Sequence, residues 1–232
     1  MSLDWVFHLH GLKDNHGVTL GDFLALFDVD LDDGALHRSN HSVTGSGLLG
    51  TASALLLALL LGTSVAAAQS QVARQGYFDG TSFHRVLYGF VVQGGDAGGT
   101  GTGGASIWNN EPFAPEVSAS LRHYPGALCA AKSPESERSI LSQFYFVQAL
   151  PQTLESELQA QLEAAGTPEA VLSAYNAAGG LPYLDYTDTV FGQVYQGMEV
   201  VDAIALVEVD ENGKPAEDVL INSVTISSYT AS

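Results

Sequence analysis

The chain has 232 residues, 46% of them hydrophobic, and 26 acidic against 8 basic side chains give a net charge of -18. Length and apolar content allow one sizeable core with insertions, while so negative a balance repels phosphate backbones and anionic headgroups and argues against a nucleic-acid partner. The single cysteine, Cys129, excludes an internal disulfide, leaves the compartment open and by default packs in the core.

In chain order, residues 1–16 carry His8, His10 and His16, followed by His37 and His41. A His-x-His on a strand sets both rings on one face, but no third ligand follows at a recognisable spacing, so no metal is assigned. VTLGDFLALFDVDL, Val18 to Leu31, alternates after a turn at Gly21 and Asp22, which predicts a strand-turn-strand or one bent strand. Asp28, Asp30, Asp32 and Gly34 approach a calcium loop. Asp33 stands where such a loop needs glycine and Ser39 where it needs glutamate, so the segment reads as a solvated acidic turn.

Leu48 to Ala68 is 21 residues without a charge, long enough to span a bilayer. Three readings compete: a buried helix packed on the core, a membrane anchor, and a signal whose start lies downstream. A spanning helix would separate Val18–Leu31 from Arg85 across the membrane, which is topologically impossible if both belong to one sheet. Thr51, Ser53, Thr63 and Ser64 soften the run, and the packed helix is favoured.

Tyr77 to Gly104 reads YFDGTSFHRVLYGFVVQGGDAGGTGTGG. A turn at Asp79 and Gly80 leads into alternation of Phe83, Arg85 and Leu87 against Ser82, His84 and Val86, the pattern of a strand. Phe90 to Gln93 is a second short strand, and both end in a glycine-rich loop. Arg85, Gln93 and Asp96 are costly to bury without partners, which places them in a cleft. The loop lacks a P-loop lysine and a following helix, so it is no phosphate cradle. Alternation turns His84 away from Arg85, a structural rather than an acid-base position.

Beyond the loop come Trp108, the Glu111-Pro112-Phe113 step, YPGALCAAKSPES, a polar loop over Ser133 to Ser139, and the alternating LSQFYFVQA strand, Leu141 to Ala149. Leu154, Leu158 and Leu162 at i, i+4 and i+8 predict a helix ended by Gly166. Thr167 as N-cap and Pro168 at the first helical position predict a second one through Tyr175. This pair is expected to pack over one side of the fold. Tyr183 to Ile204 reads as a strand and helix, and Lys214 to Ile226 as a closing strand.

These segments resemble the cyclophilin-type peptidyl-prolyl isomerases. Their central motif, YxxxxFHRVxxGFxxQGGD followed by GTGxGG, is similar to Tyr77–Gly104. The H-x-x-G-x-L-x-x-A, S-Q-F-F/Y-I and L-D-x-x-x-T/V-V-F-G-x-V segments match around His123, Ser142 and Leu184. The insertion ending G-G-x-P-x-L-D resembles a bacterial subgroup. The resemblance runs mostly from Gln75 onward. The family's T-V-x-N-F helix falls on Val65, Ala66, Ala68 and Gln69 without its Asn-Phe pair, and residues 1–70 diverge.

The resemblance implies one mainly-β domain over 1–232, a closed antiparallel barrel capped by helices, with a helical insertion near 154–180. It implies a cofactor-free isomerase acting on proline-containing polypeptides and assisting folding, in the cytoplasm or a bacterial cell envelope. Arg85 would face the prolyl nitrogen, Gln93 would hold the guanidinium or a substrate carbonyl, and Phe90 would line the proline pocket. Gln143, Ala131 and Lys132 would meet the substrate backbone, Lys132 in place of an asparagine. Tyr145 stands for the usual Phe wall, Tyr183 for the frequent Trp, Leu184 is the floor, and Asp188 replaces a His. These departures imply reduced affinity for cyclosporin-type inhibitors. Taken without the resemblance, Phe90 and Leu184 read as core rather than pocket, and Tyr145 and Tyr183 read also as barrel-surface aromatics. A second reading is a catalytically weak module that grips proline-containing segments, tethered to a membrane.

Overall fold

The structure, a computed structural model, describes residues 8–9, 23–24, 65–133, 136 and 138–228. Eight strands are described: β1 (His8–Leu9), β2 (Phe23–Leu24), β3 (Arg85–Leu87), β4 (Val91–Gly94), β5 (Ala127–Ala130), β6 (Phe144–Val147), β7 (Thr189–Gln196) and β8 (Ser227–Ser228). They pair antiparallel in the order β3-β4-β6-β5-β7-β1-β2-β8. Four helices accompany them: α1 (Val65–Arg74), α2 (Ser156–Ala164), α3 (Glu169–Ala178) and α4 (Met198–Ala205). Of the strand-turn-strand expected over 18–31, β2 is described. The second and third N-terminal histidines, the acidic turn at 28–34 and residues 48–64 of the apolar block lie outside the described residues.

Alternation along the strands sorts the apolar residues into two clusters. Val91, Cys129, Tyr145, Val147 and Val190 belong to one, and Val86, Val92, Leu128, Ala130, Phe144 and Phe146 to the other. Every residue of β5 and β6 is buried, so ALCA and FYFV read as continuous apolar runs because both faces are covered. At the centre of the larger cluster, Phe144 meets the rings of Phe78, Phe83 and Phe146 at 5.4, 6.2 and 5.7 Å. Truncating so central a ring to alanine costs about 3–5 kcal/mol.

The last four residues of the uncharged block, Val65 to Ala68, form the first turn of α1, with Val65, Ala66 and Ala68 buried in this same cluster. The turn is capped from outside: Val65 N donates to Glu116 Oε2 at 2.9 Å, which places a carboxylate at the positive end of the helix. Farther along, Gln69 Nε2 donates to the Leu141 carbonyl at 2.7 Å, fastening α1 to the segment that enters β6. Among the described residues no helix is long and apolar enough to cross a membrane.

The insertion departs from its predicted boundaries. α2 ends in a Schellman arrangement, with Gly166 N donating to Glu163 O (2.9 Å), Thr167 N to Leu162 O (3.0 Å) and Gly166 at φ +81°. Pro168, not Thr167, is the N-cap of the next helix, because its backbone is extended (φ -60°, ψ 143°) and Glu169 is the first helical residue. That helix, α3, also runs past Tyr175 to Ala178. α2 buries no residue, whereas α3 buries Leu172 and Tyr175.

The C-terminal strand also sits later than the expected 214–226: β8 is Ser227–Ser228 and pairs with β2. The segment ahead of it pairs instead with the chain entering β3. Gly80 N donates to Ile221 O (2.7 Å), Ile221 N to Thr81 O (2.8 Å) and Phe83 N to Val219 O (3.0 Å).

Candidate active site

Ladder register brings the site residues into one transverse row. Arg85 of β3 pairs with Gln93 of β4, Gln93 with Tyr145 of β6, and Tyr145 with Cys129 of β5. Neighbours in register share a face, so four residues far apart in sequence point the same way without any side-chain contact to arrange them. Along this row Arg85 Nη1 approaches Gln93 Oε1 at 3.5 Å, and Gln93 Nε2 donates to Gln143 Oε1 at 3.0 Å. The Phe90 ring lies 5.7 Å from the guanidinium carbon of Arg85, a cation-π contact that limits its swing.

The glycine loop is held by Asp96 and Gln143. Gln143 Nε2 donates to the carbonyls of Gly101 (2.9 Å) and Gly103 (2.7 Å). Asp96, 2% exposed, accepts from the amides of Gly98, Thr100, Gly101 and Gly103 and from the Thr100 hydroxyl, between 2.8 and 3.2 Å. Burial pushes its carboxyl up, but the donors outweigh burial and hold it at about 2. Two glycines are required by close approach: a Cβ on Gly103 would run into the Asp96 carboxylate, and one on Gly95 (φ +87°) into the Ser142 carbonyl. Ser142 joins both ends of the loop, donating to Gly95 O (2.7 Å) and accepting from Ala105 N (2.9 Å). His84 is buried with its ring against Gly101, and burial pushes its pKa down against the pull of Asp96.

Three of the sequence's departures from the family meet on the opposite wall. Tyr145 donates its hydroxyl to Asp188 Oδ2 at 2.8 Å, and Lys132 Nζ lies 3.5 Å from Asp188 Oδ1. Burial, the neighbouring Cys129 and the Asp188 carboxylate all push the Tyr145 phenol up, so it stays a donor. Ala131, Leu184 and Phe90 pack against the cluster containing Tyr145 and Cys129, whereas Tyr183 is 51% exposed on the short turn Pro182–Leu184. A cleft of about 520 Å³, lined among others by Gln93, Gly101, Ala131, Lys132 and Gln143, opens between the loop and Lys132.

Sequence reasoning gave no role to Asp185, which follows Leu184 and is a buried hub (side chain 3% exposed) bound to Arg122 and His123. The signal was a charged residue inside an otherwise apolar Leu-Asp-Tyr step. Asp96 carried a similar signal, standing ahead of glycines that cannot satisfy their own amides.

An antiparallel sheet flanked by helices thus carries an arginine-glutamine row beside an apolar wall. Residues 65–226 match the model of the cyclophilin type peptidyl-prolyl cis-trans isomerase/CLD family. The chain is 42% identical over 154 residues to a Staphylococcus saprophyticus protein named "Putative peptidyl-prolyl cis-trans isomerase", covering 66% of this chain and 76% of that one. A like-named Staphylococcus aureus (strain USA300) protein is 40% identical over 156 residues, with the same coverage. A crystal structure of a Cryptosporidium parvum cyclophilin type peptidyl-prolyl cis-trans isomerase in the presence of the dipeptide Ala-Pro is also similar. It superposes with a TM-score of 0.52 at 25% identity, covering 68% of this chain and 82% of that one. The chain belongs to the cyclophilin-type peptidyl-prolyl cis-trans isomerase family, and with it to the isomerase class.

Proposed function

We propose that this chain accelerates rotation about X-Pro bonds in exposed polypeptide segments and so assists folding, with Arg85 as the catalytic residue. The uncatalysed barrier is roughly 18–20 kcal/mol because amide resonance gives the C–N bond partial double-bond character. As the bond twists, the prolyl nitrogen pyramidalises and regains its lone pair. A guanidinium N–H aimed at that lone pair makes a hydrogen bond present only in the twisted state, which is what lowers a barrier. No covalent bond breaks, so the reaction needs no nucleophile. The observation that carries this reading is the Arg85 guanidinium, set between Gln93 Oε1 and the Phe90 ring at the end of the row.

In this reading Phe90, Tyr145 and Leu184 enclose the proline ring, with Tyr183 at the rim. Gln143, Ala131 and Lys132 receive the peptide backbone, and Asp188 holds the Tyr145 hydroxyl and the Lys132 amine in place. The reading of one domain as a closed barrel goes beyond the open strand order β3 to β8, and the hydrogen bonds between residues 80–83 and 219–221 support it. Cyclosporin-type inhibitors bind more weakly where Tyr183 supplies no indole N–H. The chain of Tyr145, Asp188 and Lys132 favours a second reading, in which the wall is built for grip and the protein holds proline-containing segments with little turnover. A protease-coupled assay on a chromogenic proline tetrapeptide separates the two. Acceleration proportional to enzyme concentration is expected, and calorimetric binding of the peptide without acceleration would leave only the binding module.

A further inference from the structure

Behind the Tyr145 wall lies a buried cluster centred on Asp185. Its Oδ1 accepts from His123 N (3.1 Å) and bonds His123 Nδ1 (2.9 Å), and its Oδ2 accepts from Arg122 Nη1 (3.1 Å) and the Tyr175 hydroxyl (2.8 Å). The Tyr175 oxygen in turn accepts from His123 N at 3.1 Å. Arg122 Nε and His123 Nε2 are buried without a hydrogen bond, so the hydrogen bonds joining Arg122, His123 and Tyr175 all run through the Asp185 carboxylate or the Tyr175 hydroxyl.

The cluster touches the proposed site at two points. The His123 ring stacks behind Tyr145, with centroids 6.4 Å apart and planes 19° from parallel. The second point is the turn carrying Tyr183 and Leu184, which is folded on itself: Leu184 N donates to Leu181 O (3.0 Å), Asp185 N to Pro182 O (3.2 Å) and Asp188 N to Leu184 O (3.1 Å). These bonds close the turn on itself, and the Asp185 side chain ties it to Arg122, His123 and Tyr175. Tyr186 beside it holds φ +66°, a backbone state unfavourable for an aromatic residue, under the Arg122 guanidinium at 4.8 Å.

Tyr175 belongs to the insertion, on α3, and is fully buried with its ring 4.5 Å from that of Tyr124. We propose that Tyr175 is a positioning residue: through its hydroxyl on Asp185, the helical insertion sets the Tyr183–Leu184–Asp188 turn and the His123 ring behind Tyr145, and so the width of the proline pocket. The proposal rests on the isomerase reading for the identity of the pocket. The insertion is thus more than a cover on the sheet, since its one polar buried group bonds the carboxylate that anchors the pocket wall.

Tyr175→Phe removes the hydroxyl and keeps the ring. Leu172→Ala is the control, because Leu172 is 5% exposed on the same helix and is not among the partners of Asp185. Both are assayed with the chromogenic proline tetrapeptide well below their melting temperatures, with peptide Kd from calorimetry. Tyr175→Phe is expected to raise KM and Kd about three- to tenfold, as the fraction of molecules holding the wall in the binding position falls to roughly a third to a tenth, with kcat unchanged. Leu172→Ala is expected to lower Tm while leaving KM alone. Unchanged KM and Kd in Tyr175→Phe, or equal rises in both variants, would overturn the proposal. Should Tyr175→Phe fold poorly, Asp185→Asn, which keeps the shape and one acceptor oxygen, serves in the same comparison. The isomerase reading fails separately, on kcat in Arg85→Ala, while the Tyr175 proposal is read from Kd.

Discussion

The two sides of the cleft are held by different physics. On the side of β3, β4 and the glycine loop, positions follow from ladder register and from side chains bonded to backbone: Asp96 to four loop amides, Gln143 to two loop carbonyls. On the other side Tyr145 takes its place from the same ladder, but its hydroxyl, Asp188 and Lys132 are held by side chains bonded to one another. Backbone-anchored groups tolerate little drift, and they sit where the proposed rotation chemistry, common to every X-Pro bond, takes place. Side-chain chains can be exchanged as a unit, and in the proposed reading they sit where the proline ring and its neighbouring backbone are met. The difference suggests that rate resides on the first side and substrate preference on the second.

The comparison is tested most severely at Arg85. Arg85→Ala should lower kcat/KM about 10²- to 10³-fold, as loss of one transition-state donor does, with circular dichroism unchanged. Near-wild-type turnover in a folded variant would remove the chemistry from this side altogether.

Next in size is acid sensitivity of the loop. The Asp96 carboxyl is held below its ordinary 3.8, at about 2, so folding favours its ionised form. The contribution, roughly 2 kcal/mol, is present in full above the ordinary value and is lost as pH falls through about 2. Stability to urea followed between pH 5 and 2 should decline in the wild type and decline less in Asp96→Asn. Parallel curves would show that the carboxylate does not anchor the loop.

A smaller effect is expected across the cleft. Tyr145→Phe and Asp188→Ala should be non-additive in peptide Kd by about 1 kcal/mol, since each removes the same hydrogen bond. Additive losses would mean that the pair does not act as a unit. Smallest is the rim: Tyr183→Trp should tighten cyclosporin binding several-fold by adding an indole donor and apolar area. An unchanged Kd measured by calorimetry would place the limit at Lys132 or Asp188 instead.

How much of this was readable in advance follows the same division. Arg85 and Gln93 were legible as polar groups on short apolar strands bounded by glycines, and Gln143 only through the family motif it resembles. Lys132 and Asp188 were legible one at a time, as departures, but not as a bonded pair, because contacts between residues 56 positions apart leave no periodic trace. The same holds for Tyr175 and Asp185, which meet only after the insertion has folded back. Boundaries slipped where local chemistry was ambiguous. The sequence predicts Thr167 as the N-cap with Pro168 at the first helical position, but the extended ψ of Pro168 makes it the cap and lets Glu169 begin the helix. The closing strand sits later, at Ser227, because residues 219–221 pair with residues 80–83 instead of with the sheet edge.

Cys129 lies in the middle of β5, fully buried, with burial pushing its thiol well up. It is the chain's only cysteine and the register neighbour of Tyr145. A soluble alkylating reagent therefore has a single target, and one that the intact sheet hides. The rate at which the protein takes up such a label is a clock for the parting of β5 from β6 and β7, read without any engineered probe. A proline peptide seated against Tyr145 should slow that clock, turning ligand binding into a chemical signal from the floor of the cleft.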